Sequence, residues 1–114
     1  KEYYSLVCID VRTSQPVGFI SVGPMQQDVS KSVGNIGMFV DERYQGIGVG
    51  SLLMKNIILL AKRLHLRMLF LSVFNTNPAG IRLYKKFGFV EHGRVPGWFQ
   101  NGYVDEIMMT KKIG

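Results

Sequence analysis

Residues 40 to 51 read Val40-Asp41-Glu42-Arg43-Tyr44-Gln45-Gly46-Ile47-Gly48-Val49-Gly50-Ser51, with glycine at three alternate positions. An apolar run precedes this segment, and a stretch whose apolar residues recur every three or four positions follows it. That pattern predicts a strand, a glycine turn and a helix in succession. Such a turn lets successive backbone N–H groups point inward at the positive end of the helix, where they can cradle a pyrophosphate. Glycine suits the task because a Cβ would block the approach. Taken alone, a glycine-rich turn reads equally well as the simple end of a strand.

The remaining segments arrange themselves around this one. Residues 3–11 and 16–22 are rich in aromatic and branched side chains and form an expected β-hairpin through the polar residues 12–15. Residues 23–32 read as a loop and 33–40 as a third strand, in which Gly37 suggests a bulge or a close approach by another backbone or a ligand. From Gly50 or Ser51 to Leu64, the residues Leu53, Ile57, Leu60, Ala61 and Leu64 mark one face of an amphipathic helix. Residues 68–74 form a short apolar run, hence a buried strand. Asn77 is a good helix N-cap and Pro78 suits the first helical position, so a second helix runs to about Phe87 and Gly88 ends it. Residues 90–94 and 98–100 are strand-like, Asn101-Gly102 is a hairpin turn, and 103–111 closes the sheet. The order is β-β-β-α-β-α-β-β without repeat or linker. The expected class is α/β (α+β), a mixed, largely antiparallel sheet with helices packed on it, in one domain spanning residues 1–114.

Composition narrows the function classes. Hydrophobic residues are 46% and charged residues 19%, the balance of a packed domain rather than a disordered tail. Lys55, Asn56, Lys62 and Arg63 interrupt the longest apolar stretch short of the ~18 residues a membrane span needs. Lys1 and Glu2 lead into a strand-like run, not the apolar core of a signal peptide. Cys8 is the single cysteine and has no internal disulfide partner, so a core position and a reducing cytoplasm are expected. The net charge is +6, and residues 43–90 hold no Asp or Glu but eight of the fourteen basic residues. Such a block is either a solvated face or an attractor of polyanions, and by charge alone a nucleic-acid-binding domain fits equally. Interleaved aromatics, expected for single-strand binding, are lacking.

Spacing eliminates other nucleotide sites. A dinucleotide fingerprint needs a third glycine where Ser51 or Leu53 stands, and an acid about 20 residues on, inside the acid-free block. A P-loop needs Gly-Lys-Ser/Thr, which is absent. A kinase needs far more chain. Gln45, Gly48 and Gly50 instead match a loop signature of Gln or Arg, two residues, Gly, one residue, Gly or Ala. A separate segment, Asn77, Ala79, Leu83, Tyr84 and then Gly88-Phe89, matches a second signature, and the closing residues 102–109 are similar to a common final strand. With these motifs the chain resembles the GNAT superfamily of acetyl-CoA-dependent N-acetyltransferases over essentially residues 3–112.

The resemblance implies a GNAT-like acyl-CoA N-acyltransferase fold and a transferase activity, acetyl-CoA passing its acetyl group to an amine. Acetyl-CoA and an amine acceptor are the implied partners, with no nucleic acid, membrane or metal. The implied cofactor-binding residues are Met38, Phe39, Val40, Gln45, Gly46, Ile47, Gly48, Val49, Gly50, Ser51, Asn77, Ala79 and Tyr84. The amides of residues 45–51 hold the pyrophosphate, and the pantetheine arm pairs with Met38 and Val40. The thioester lies where the third and fourth strands splay, and an N–H near Met38 polarises the acetyl carbonyl. Tyr84 is the implied catalytic residue, protonating the departing thiolate. Arg43, Lys85 and Lys86 are candidates for the adenosine phosphates.

Three departures bear on activity. Many relatives carry a Glu near the start of the third strand, where this chain has Gly34-Asn35, and others carry one in the fourth strand, where Ser72 stands. No general base is assigned, and His65, placed on a helix, and His92, on a strand, read as surface or packing residues. Family members usually begin with one more strand and two helices forming a wall of the acceptor site, and this sequence starts after them. A chain so shortened is expected to expose a sheet edge, a route to a homodimer. Trp98, Phe99 and Tyr103 are candidates for lining the acceptor side. A non-catalytic acyl-CoA-binding module is the alternative consistent with the missing carboxylate.

Overall fold

The computed structural model describes residues 3–25, 31–99 and 104–114, without the side chains of residues 98 and 99. The element order is β1 (Tyr4–Asp10), β2 (Gln15–Pro24), β3 (Val33–Val40), a 3-10 turn (Glu42–Tyr44), α1 (Val49–Arg63), β4 (Met68–Phe74), α2 (Pro78–Lys86), β5 (Val90–Phe99) and β6 (Val104–Lys112). The strands form one six-stranded sheet in the order β1-β2-β3-β4-β6-β5. Every neighbouring pair is antiparallel except β3 and β4. The mixed, largely antiparallel sheet and the order of elements agree with the sequence reading. No helix among the described residues is long and apolar enough to cross a membrane.

Hairpin β1–β2 closes because the Asp10 carbonyl accepts from the N–H groups of Thr13 at 3.2 Å and Ser14 at 2.7 Å, with Ser14 at φ 59°. α1 lies on one face of the sheet and buries Val49, Leu53, Met54, Ile57, Ile58 and Ala61. They meet Ile20, Val22, Ile36, Leu69, Leu71 and Met109 in one core cluster, each large apolar side chain contributing about 1.5–3 kcal/mol by its removal from water. The buried face is rotated from the expected one. Leu60 and Leu64 are only partly covered while Met54 and Ile58 are buried, because α1 packs chiefly against β1 to β3 and that contact selects the covered side. His65 is not on the helix: it follows the C-cap Leu64 in a left-handed conformation, φ 61°, a position more often filled by glycine. His92 lies on β5, exposed to solvent.

α2 starts as expected, with Asn77 Oδ1 accepting from the Gly80 N–H at 3.0 Å and Pro78 at the first position. Gly88, φ 91°, follows its C-cap. Residues 90–94 and 98–100 were expected as separate stretches, yet Val90–Phe99 is a single strand whose register shifts between Glu91 and Gly93 and between Val95 and Phe99. Gly37 makes no bulge: it pairs in unbroken register with Ser21. Cys8 is half-buried and packs against the core cluster. Asn101, Gly102 and Tyr103 and the side chains of Trp98 and Phe99 lie outside the described residues, and with them the expected turn and acceptor wall.

Candidate active site

The parallel strands β3 and β4 pair only at Val33 with Met68, Gly34 with Leu69 and Asn35 with Phe70. β4 continues through Phe74 on β6, and β3 through Val40 on β2, so past Asn35 the two strands diverge. Hydrogen bonding in an antiparallel ladder alternates sides along a strand. The Asp41 N–H donates to the Val17 carbonyl at 2.8 Å on the β2 side. The N–H and C=O groups of Val40 and Met38, one and three residues earlier, therefore point the other way, into the gap. In keeping with this, the Val40 carbonyl accepts from Gln45 Nε2 at 3.3 Å.

The gap opens into a cleft of about 530 Å³ lined by both signature segments. Met38, Phe39 and Val40 come from β3, Gln45, Gly46, Gly48, Gly50 and Ser51 from the glycine turn and the start of α1, and Asn77, Ala79 and Tyr84 from α2. Eleven of the thirteen residues named for the cofactor thus converge on one cavity. Ile47 and Val49 do not line it. Alternation along the turn sends Ile47 to solvent, 68% exposed, and Val49 into the core, 8% exposed, so each offers the cleft at most its backbone. Gly80, Leu83 and Lys86 also line the cavity. Leu83 belongs to the second signature but not to the implied cofactor set, and its helical spacing from Ala79 is the sequence signal that places it on the cleft. Of the three basic candidates only Lys86 reaches the cleft; Arg43 is turned onto Asp41 at 3.0 Å with its side chain in solvent.

The glycines divide by purpose. Gly46 and Gly48 have φ of 80° and 98°, and a Cβ on either would meet no protein atom within 4 Å. Their conformation is left-handed and the space beside them is open. Gly50 instead permits the approach of α2, since its Cβ would stand 3.0 Å from Leu83 Cδ2. Gly48 is the N-cap of α1 with no side-chain cap bond, and no acidic residue occupies the first turn. The first amides and the positive helix end are therefore left for an anion.

Tyr84 is 8% exposed, stands edge-on to Phe89 with ring centroids 6.1 Å apart, and borders the cleft. Burial pushes its phenol above the ordinary value of 10.0 and keeps it protonated. Asn35 and Ser72 are exposed. A Cβ on Gly34 would stand 2.6 Å from Val22 Cγ2 and 2.8 Å from Leu66 Cδ1, so any side chain there forces those neighbours to shift.

The acetyltransferase (GNAT) family model matches residues 1–89. The chain is 32% identical to the L-amino acid N-acetyltransferase AaaT of Escherichia coli (strain K12) over 109 residues, 93% of this chain and 65% of that protein. It is 43% identical to the spermine/spermidine N(1)-acetyltransferase of Bacillus subtilis (strain 168) over 58 residues, 50% of this chain and 38% of that protein. The chain therefore matches less than two thirds of the length of either relative. The structure of yncA from Salmonella typhimurium, solved with its cofactor acetyl-CoA, superposes with a TM-score of 0.87 over 98% of this chain and 65% of that one, at 23% identity, which shows a common fold. The family model covers most of the sequence and includes both signature segments that line the cleft, and the chain belongs to the GNAT family of acetyltransferases.

Proposed function

We propose that this chain transfers the acetyl group of acetyl-CoA to a primary amine, of a small molecule or of a peptide N-terminus, by direct attack on the thioester. The observation that carries the reading is the convergence of the splayed β3 edge, the left-handed glycines and Tyr84 on one cleft. The amides of residues 45–51 hold the diphosphate, and the backbone of Met38 and Val40 pairs with the pantetheine amides. The amine lone pair adds to the acetyl carbon while the Met38 N–H stabilises the carbonyl oxygen. The C–S bond then breaks with its electron pair on sulfur, Tyr84 gives that sulfur a proton, and the proton of the new amide nitrogen leaves through water. Tyr84 regains its proton from solvent.

Gly34, Asn35 and Ser72 provide no carboxylate to deprotonate the acceptor. At pH 7 the free-base form of a lysine-like amine costs ~4.6 kcal/mol, that of an α-amine roughly 1–1.4 kcal/mol. An α-amine or another amine of low pKa is therefore the favoured acceptor, and the name of the Escherichia coli relative, an amino-acid N-acetyltransferase, supports that choice. Isothermal titration with acetyl-CoA, followed by a free-thiol release assay on a panel of α- and ε-amines, tests the proposal. Absence of binding at millimolar cofactor refutes it. The missing carboxylate also favours a second reading, a non-catalytic acyl-CoA-binding module, which binds without thiol release.

A further inference from the structure

Two Asp-x-Arg clamps stand at the end of the sheet from which the glycine turn departs. Asp41 accepts from the Arg43 N–H at 2.9 Å and from its guanidinium at 3.2 and 3.0 Å. Asp10, the last residue of β1, accepts the same three bonds from Arg12, at 2.9, 3.2 and 3.1 Å. Asp10 differs in taking a fourth, from Tyr44 Oη at 2.7 Å, across 34 residues of sequence. Its side chain is only 7% exposed while that of Arg12 is 81% exposed. The hydroxyl thus meets an enclosed carboxylate, where a charge-assisted bond is strong.

The position of this bond is informative. Tyr44 ends the 3-10 turn, one residue before Gln45 and two before the left-handed Gly46. The 3-10 turn buries none of its residues, and Cβ atoms at Gly46 and Gly48 would touch nothing, so the segment has little packing of its own. The ring of Tyr44, by contrast, packs against the core cluster. Neither Asp10 nor Tyr44 lines the cleft.

We propose that Asp10 and Tyr44 are a positioning pair, a tether from β1 that fixes where the glycine turn begins and so keeps the amides of residues 45–51 aligned for a diphosphate. This rests on the reading of the cleft as an acetyl-CoA site. The pair acts through the turn and not on the reacting atoms, so its loss changes cofactor affinity and leaves the chemical step alone.

The experiment compares wild type with Tyr44→Phe, Asp10→Asn, Asp10→Ala and the Asp10→Ala/Tyr44→Phe double variant. It measures acetyl-CoA Kd by calorimetry, kcat at saturating cofactor, and hydrogen–deuterium exchange of ligand-free residues 41–51. Tyr44→Phe keeps the ring in place and is expected to raise Kd roughly tenfold, the worth of one hydrogen bond to a charged group. It also speeds exchange in that segment while α1 and β4 are unchanged, and kcat stays within about twofold because general-acid and oxyanion groups are untouched. Asp10→Asn, whose amide oxygen still accepts, loses less than Asp10→Ala, and the double variant loses no more than the larger single loss. Additive losses, unaltered exchange at residues 41–51 in Tyr44→Phe, or a fall in kcat with Kd unchanged overturns the proposal. Were the wild type to bind no acetyl-CoA, the cofactor reading would fail by itself, and exchange alone would decide for or against the tether.

Discussion

Substitution of Gly48 separates two reasons a glycine can be needed. Its φ of 98° and ψ of 2° are costly for a β-branched residue, about 1–3 kcal/mol. At roughly 4 °C per kcal/mol for a domain of this size, Gly48→Val is expected to lower Tm by about 4–12 °C. Asparagine tolerates left-handed backbone, so Gly48→Asn costs under about 1 kcal/mol in stability. Packing does not enter either figure, because a Cβ there meets no protein atom within 4 Å. For binding, both side chains occupy the open space beside the turn. Displacing a diphosphate from two backbone amides, each worth about 1.5–3 kcal/mol to a charged acceptor, raises Kd by about 10²- to 10⁴-fold. Differential scanning fluorimetry and acetyl-CoA titration on the two variants read the two effects separately. A Gly48→Asn protein with near-native Tm and a Kd within about threefold of wild type would show that the turn does not hold the cofactor.

Tyr84→Phe is expected to lower kcat by about 10²-fold with acetyl-CoA affinity unchanged, as for loss of a general acid. Because burial raises the phenol above its ordinary 10.0, any alkaline decline of wild-type kcat from this group is expected at higher pH than for a free phenol, and stability that depends on the neutral ring is lost as pH rises through the raised value. Asn77→Ala removes the cap on the Gly80 N–H and is expected to cost about 1 kcal/mol in urea melts. Arg12 and Tyr44 hold the Asp10 carboxyl well below its ordinary 3.8. Its depressed value stabilises the fold above that pH and ceases to do so as pH falls through the folded value. The stability gap between wild type and Asp10→Asn should therefore be constant from pH 7 to about 4.5 and narrow only in stronger acid.

Much of the architecture was legible because its determinants are local. The Asn77-Pro78 start and Gly88 end of α2, the alternating glycines, and the change of apolar spacing from two to between three and four act over a few residues. The same short reach explains the misplacements. A face of α1 drawn from spacing missed Met54 and Ile58 because the sheet, not the helix, selects which side is covered. His65 was set on the helix because nothing local announces a left-handed C-terminal residue that is not glycine. Of the two readings of Gly37, a bulge or a close approach by another backbone or a ligand, the unbroken pairing with Ser21 rules out the bulge.

The chain's own order of residues determined the elements, the glycine turn at the head of α1 and the two segments whose residues meet at the cleft. Tertiary structure alone decided that β4 inserts between β3 and β6 and leaves β3 after three residue pairs. It also decided that Leu83 rests over Gly50, that Ile47 and Val49 turn away from the cavity, and that a carboxylate on β1 grips Tyr44. The physical reason is range: backbone preference and periodicity act within a turn or two, whereas strand partners and converging side chains depend on contacts between residues far apart in sequence.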